Sequence, residues 1–182
     1  MQASIRDIVF IALFAAIIAA LGLIPKIDVG VGVPITAQSL GVMLAGSILG
    51  AYRGFLALAL FLALVAAGLP LLSGGRGGLG VFFGPSAGFL LAYPFVAGLI
   101  GLLTQRAWRE LTFLKSFGIN VLGGIILLYA CGIPALAAIT GATLQTAALG
   151  SLIFIPGDLI KAALAASAAM FVKRGYPLIG ER

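Results

Sequence analysis

Charged residues are so sparse in this chain that they leave five uncharged runs: Ile8–Pro25, Val29–Tyr52, Gly54–Gly75, Gly77–Gln105 and Ser116–Gly157. Each is near or beyond the length of about 20 residues that crosses hydrocarbon as a helix. The longest must hold at least one full helix plus a hairpin or re-entrant piece. With 62% hydrophobic and 9% charged residues and a mean hydropathy of +1.23, the chain has too little polar surface to cover a soluble domain of 182 residues. These runs therefore describe an integral membrane protein in contact with lipid.

The punctuation divides the chain into helices at about 5–24, 36–51, 53–70, 85–105, 115–133 and 149–172. Pro25 and Pro34 flank the first connection, Gly68 and Pro70 close the third helix, and Gly132 with Pro134 is expected to close the fifth. The expected fold class is an all-α membrane protein with six transmembrane helices in one domain spanning 1–182. Six crossings put both termini on one side. With the N-terminus in the cytoplasm, Arg6, Arg53, Arg106, Arg109, Lys115, Lys173, Arg174 and Arg182 lie inside, leaving Lys26 and Arg76 outside and Lys161 in the membrane. That distribution obeys the positive-inside rule, so the formal charge of +6 follows from topology and needs no nucleic-acid partner. The Arg6-headed apolar start is similar to a signal peptide, but its removal would leave five spans, and we expect it to be a retained helix.

Two charges, Asp158 and Lys161, fall inside the otherwise uncharged and largely apolar stretch Ala147–Val172. A charge at the bilayer centre costs roughly 2.5–3.5 kcal/mol on insertion scales, so such groups face a bundle interior or cavity and serve function. Three residues apart, they share one helical face. Two readings stand: a salt bridge that pins the last helix, or a buried polar site for a small solute.

Several chemistries are excluded or weakened. With no histidine and a single cysteine, Cys131, the chain offers neither a disulfide framework nor metal-site spacing; no metal site is expected, and Cys131 reads as a small buried packing residue. The Gly75–Gly80 segment fits G-x-G-x-x-G, but without a βαβ context or a downstream acid it reads as a flexible loop. Gly84–Gly88 fits G-x-S-x-G; a Ser–His dyad cannot form, which leaves a Ser86–Lys161 dyad as the one enzyme hypothesis. No phosphate-binding P-loop motif occurs, so ATP-driven work must come from a partner.

The blocks Val33–Leu40, Leu44-Ala45-Gly46 to Leu49-Gly50, Gly68-Leu69-Pro70 with Gly74–Gly80, Gly84–Phe89 and Pro156-Gly157-Asp158-Leu159-Ile160-Lys161 together closely resemble the biotin-specific S component of energy-coupling-factor transporters, the BioY family. The resemblance runs from about residue 5 to 174, with Pro-Gly-Asp-x-x-Lys its strongest element. The chain departs from the family pattern at Ser86-Ala87, usually Thr-Gly, and at Leu71-Leu72-Ser73, often Val-Phe-Ala.

The resemblance implies a non-enzymatic, multi-pass subunit of the prokaryotic cytoplasmic membrane. It would capture biotin as its transported substrate, without cofactor, and work with a transmembrane coupling subunit and two ATP-binding subunits. The residues agree with that chemistry. Biotin offers an apolar bicycle and tail, a ureido group with two N–H donors and one carbonyl acceptor, and a carboxylate, which call for an apolar pocket with a few convergent polar groups. Asp158 accepts from a ureido N–H, and Lys161 donates to the ureido carbonyl or to Asp158. Gln38 supplies an amide, and Ser73 is a further candidate contact; Arg76, in the outer loop, either meets the carboxylate or is simply solvated, and Tyr93 and Phe89 either stack on the rings or, as aromatics in a membrane helix more often do, pack within the bundle. Another vitamin's S component, a stand-alone secondary transporter and a Ser–Lys hydrolase are the alternatives.

Six glycines between Gly68 and Gly80 suit a loop that folds over a ligand and reopens; a fixed turn is the other reading. Ala12, Ala16 and Ala20, with Ala15 and Ala19 beside them, form a stripe on the first helix that lets another helix approach closely. By composition the stripe serves an internal or a partner contact equally, and the resemblance assigns it to docking on the coupling subunit.

Overall fold

Helix α1 (Ile5–Leu21) begins where Ser4 and Asp7 cap each other: the Ser4 hydroxyl accepts from the Asp7 amide and the Asp7 carboxylate accepts from the Ser4 amide. This computed structural model describes residues 4–28, 30, 32–176 and 178–179; Arg182, one of the basic residues expected inside, lies outside them. Helices α2 (Gln38–Leu49) and α3 (Ala51–Ala66) are separated only by Gly50, whose φ of 82° turns the chain between them. A 3-10 turn at Leu79–Phe83 leads into α4 (Ala87–Arg106), and another at Trp108–Glu110 leads on to α5 (Phe113–Val121).

The fifth helix does not stop at Pro134. Helix α5, a π-helical segment Leu122–Leu127 and α6 (Leu128–Thr140) form one continuous rod, Phe113–Thr140, with Pro134 inside it. A proline removes one N–H and disturbs one turn, but inside an apolar protein the surrounding helices hold the rest of the ladder together. The stop is Gly141, in the left-handed conformation at φ 71°. The extra piece expected in the longest uncharged run is α7 (Leu144–Ser151), joined through a 3-10 turn to α8 (Ile155–Gly175).

Among the described residues the chain is thus all-helical, in six helical units, with extended pairing limited to the isolated bridges Ile27–Ile35 and Leu72–Arg76. Three stretches, Ala87–Arg106, Phe113–Thr140 and Leu144–Gly175, are long and apolar enough to cross a membrane. Helix α2, about 18 Å long at 1.5 Å per residue, is buried along nearly its whole length and packs against α3, α4 and α8. Phe61, Met43, Ile18, Ile100 and Val96 fill the interior around it.

Leu91, Phe95, Ile126, Ile160, Leu164 and Phe171 are exposed, as suits an outer face in lipid. Cys131 is exposed too, not buried: where the surroundings are apolar, an apolar side chain gains nothing by facing inward. One end of the bundle gathers the basic residues. There Arg53 pairs with the buried Asp7 at 2.5 Å and donates to the Leu178 carbonyl, Arg6 donates to the Tyr176 hydroxyl, and Lys173 donates to the Leu111 carbonyl beside the Trp108 ring.

Candidate functional site

Pro156 sits in the first turn of α8, where its missing N–H costs nothing, and starts the helix that carries Asp158 and Lys161 on one face. The two side chains are ion-paired at 2.9 Å and are 7% and 15% exposed, so the charge pair is taken out of solvent. Both Asp158 oxygens are used. Oδ1 accepts from Lys161 at 2.9 Å and from the Ser39 hydroxyl at 3.4 Å, while Oδ2 accepts from the Tyr129 hydroxyl at 2.7 Å. Lys161 also donates to Ser39 Oγ at 3.0 Å. Four groups from α2, α6 and α8 therefore form one network, and a buried ion pair held by further hydrogen bonds is the arrangement that offsets its desolvation.

The network faces a narrow cavity of about 60 Å³ walled by Val33–Thr36, Phe89, Tyr93, Leu128 and Phe154. Phe89 meets the Tyr129 ring edge-on, with centroids 6.2 Å apart and planes at 84°. Its ring lies directly against Gly132, where any Cβ would collide with it. The glycine expected to end a helix instead makes room for an aromatic wall of the cavity.

Of the residues singled out in the sequence, Asp158, Lys161, Tyr93 and Phe89 come together here. Gln38 and Ser73 do not line this cavity; they form a second cluster. Gln38 Nε2 donates to the Ile18 and Leu71 carbonyls at 3.2 and 3.0 Å, and its Oε1 accepts from the Ser73 amide at 3.2 Å. Arg76 Nε donates to the Ser73 carbonyl at 3.4 Å, and its backbone pairs with Leu72. The glycine-rich loop is consequently a packed turn in this structure, with the Gly78 amide donating to the Val65 carbonyl at 2.8 Å. Gly77 lies on the Leu69 carbonyl with no room for a side chain. Ser86 is buried at the start of α4 and is not among the hydrogen-bond partners of Lys161, which are Asp158 and Ser39. Ala12, Ala16 and Ala20 lie on the exposed face of α1, whereas Ala15 is buried.

Sequence reasoning missed Ser39 and Tyr129 as members of the site. Ser39 was visible only as a neighbour of Gln38. Tyr129 is a phenol in the middle of the longest uncharged run, a polar group that in such a place needs a partner.

A family model described as the BioY family matches residues 1–178. The chain belongs to the BioY family. Its similarity to curated members extends over nearly the whole length. It is 51% identical to the "Biotin transporter BioY" of Rhizobium etli, covering 98% of this chain and 99% of that one. It is 50% identical to the "Probable biotin transporter BioY" of Bacillus subtilis, covering 94% and 92%. Among solved structures, the crystal structure of the S-component for biotin from an ECF-type ABC transporter superposes with a TM-score of 0.91 at 33% identity, over 96% of this chain and 94% of that one. The six helical units described above are thus a BioY S-component fold.

Proposed function

We propose that this chain is the biotin-capturing S component of an energy-coupling-factor uptake transporter, residues 1–182 acting as one membrane unit. The observation that carries the reading is the desolvated Asp158–Lys161 pair, opened toward an aromatic cavity in a protein whose relatives are named biotin transporters. The ureido group of biotin matches that pair in both senses: its N–H groups donate to Asp158 and its carbonyl accepts from Lys161. Phe89 and Tyr93 pack on the bicycle, Tyr129 and Ser39 hold the charged pair in place, and Arg76 meets the carboxylate from the outer loop. Gln38 and Ser73 serve by fixing that loop. The cavity has the volume of about two waters, so the Val33–Thr36 wall, which the Ile27–Ile35 bridge ties back to the preceding segment, moves outward when biotin enters.

Six membrane crossings with both termini in the cytoplasm are supported by the gathering of Arg6, Arg53, Arg106, Arg109 and Lys173 at one end and of Lys26 and Arg76 away from it. The cell membrane of a prokaryote is the compartment this implies. A transmembrane coupling subunit and two ATP-binding subunits supply the energy, and the outward Ala12, Ala16 and Ala20 stripe receives the coupling subunit.

Purification from membranes without ATPase partners, followed by ligand identification by mass spectrometry and calorimetric titration, tests the reading. Biotin is expected in the purified protein. Asp158→Asn and Lys161→Met are each expected to weaken binding by more than about tenfold, or about 1.4 kcal/mol, while remaining in the membrane fraction. Binding of a different vitamin would overturn the substrate assignment; biotin binding unchanged in both variants would overturn the site and leave the substrate standing.

A further inference from the structure

A cavity far larger than the one beside Asp158 opens elsewhere in the bundle. It lies at the basic end of the bundle, has a volume of about 610 Å³, and is lined by Leu49, Tyr52, Arg53, the turn from Gln105 to Glu110, Leu178 and Ile179. That volume falls within the roughly 300–1,000 Å³ of small-molecule sites.

Among the described residues, the charges around it do not cancel. Asp7 is taken by Arg53 at 2.5 Å, and Glu110 is taken by Lys115 at 2.8 Å. Arg106 and Arg109 have no carboxylate partner among the described residues. Two exposed guanidinium groups thus border a cavity whose other walls include the buried Leu49, Leu178 and Ile179. Guanidinium is the side chain that grips phosphate with two parallel N–H bonds. Trp108 and Tyr52, with an indole N–H and a phenol on apolar rings, are residues of the kind that sit at headgroup depth.

The geometry points to a phosphate-binding site for the headgroup of an anionic phospholipid, with Arg106 and Arg109 on the phosphodiester and Leu49, Leu178 and Ile179 against the glycerol and first methylenes. A zwitterionic headgroup would bring its own ammonium toward Arg53, Arg106 and Arg109. A basic pocket between helices, open to the membrane surface, is the kind of site that selects lipid headgroups by charge. The site lies at the opposite end from the Gln38–Arg76 loop and uses none of the residues assigned to biotin.

The test is a titration of the delipidated full chain in detergent with short-chain phosphatidylglycerol, phosphatidylcholine and inorganic phosphate, read by native mass spectrometry and by thermal shift. Arg106→Gln with Arg109→Gln should lower the apparent affinity for phosphatidylglycerol by about tenfold or more, and each single variant by less. Arg174→Gln with Lys26→Gln, which removes the same charge elsewhere, should leave it within about twofold. Phosphatidylcholine should bind weakly, and inorganic phosphate should displace the lipid only in large excess, because it lacks the apolar contacts.

Equal phosphatidylglycerol retention by the Arg106/Arg109 variant would overturn the proposal. Equal retention of phosphatidylcholine would remove the charge argument, and displacement by equimolar phosphate would make this a soluble-anion site. Loss of coupling-subunit association in a variant whose parent binds no lipid would assign the surface to a protein instead.

Discussion

Asp158 accepts hydrogen bonds from Lys161, Ser39 and Tyr129, so its carboxylate is held in one position before any ligand arrives. Tyr129→Phe keeps the ring against Phe89 and removes one O–H donor to a charged acceptor, a bond of about 1.5–3 kcal/mol. Biotin binding measured by calorimetry should weaken by about tenfold or more; unchanged affinity would reduce Tyr129 to a packing residue. Gln38 should behave differently. Its amide satisfies the Ile18 and Leu71 carbonyls and the Ser73 amide, all away from the cavity. Gln38→Leu leaves those buried groups unpaired at about 1–3 kcal/mol, so the melting temperature should fall by several degrees while Asp158 and Lys161 keep their pairing; a loss of affinity at unchanged stability would place Gln38 on the ligand. The sequence showed the charged pair because Asp158 and Lys161 are three apart on one helix. Ser39 joins them across separations of 119 and 122 residues, and no local pattern in a single sequence encodes such a contact.

Among the elements, the rod Phe113–Thr140 sets much of the site. Its π-helical segment changes the angular register between α5 and α6, and Tyr129 follows that segment by two residues. Helices α4 and α6 approach closely through Gly88, which lies on the Cys131 carbonyl and Ala135, and through Gly132, which lies on the Phe89 ring. Gly132→Leu must push that ring aside, an overpacking cost of about 1–3 kcal/mol. Both thermal stability and biotin affinity should drop together, and Gly132→Leu with Phe89→Ala should recover part of the stability but not the affinity. Full affinity in Gly132→Leu would detach the Phe89 wall from binding. Helix existence was legible from uncharged runs because hydrocarbon-length apolar segments have few other uses. The end of the fifth helix was not, since Pro134 carries the same local stop signal whether neighbouring helices sustain the ladder or not, and Gly141 alone gave no reason to be preferred.

At the scale of the whole molecule, the charged pair and the alanine stripe occupy different surfaces. Asp158 and Lys161 point into the bundle, whereas Ala12, Ala16 and Ala20 lie on the outer face of α1, next to the exposed Ile8, Val9 and Leu13. The inner face of the same helix is already occupied: Ile11, Phe14, Ala15 and Ile18 are buried in the core. A bulky group on the outer stripe therefore meets lipid or a partner, not the bundle. Without segregation of apolar surface to drive them together, membrane helices associate through close packing over small residues, and a tryptophan removes that closeness. Ala12→Trp with Ala16→Trp should accordingly leave biotin affinity and melting temperature near those of the parent, while abolishing co-purification with the coupling subunit and uptake into cells. The three measurements belong on the same variant. Loss of biotin binding along with uptake would mean that the stripe supports the fold, and normal co-purification with normal uptake would leave it facing lipid; each result would move the docking surface off α1, whereas binding without uptake would separate capture from transport in a single chain.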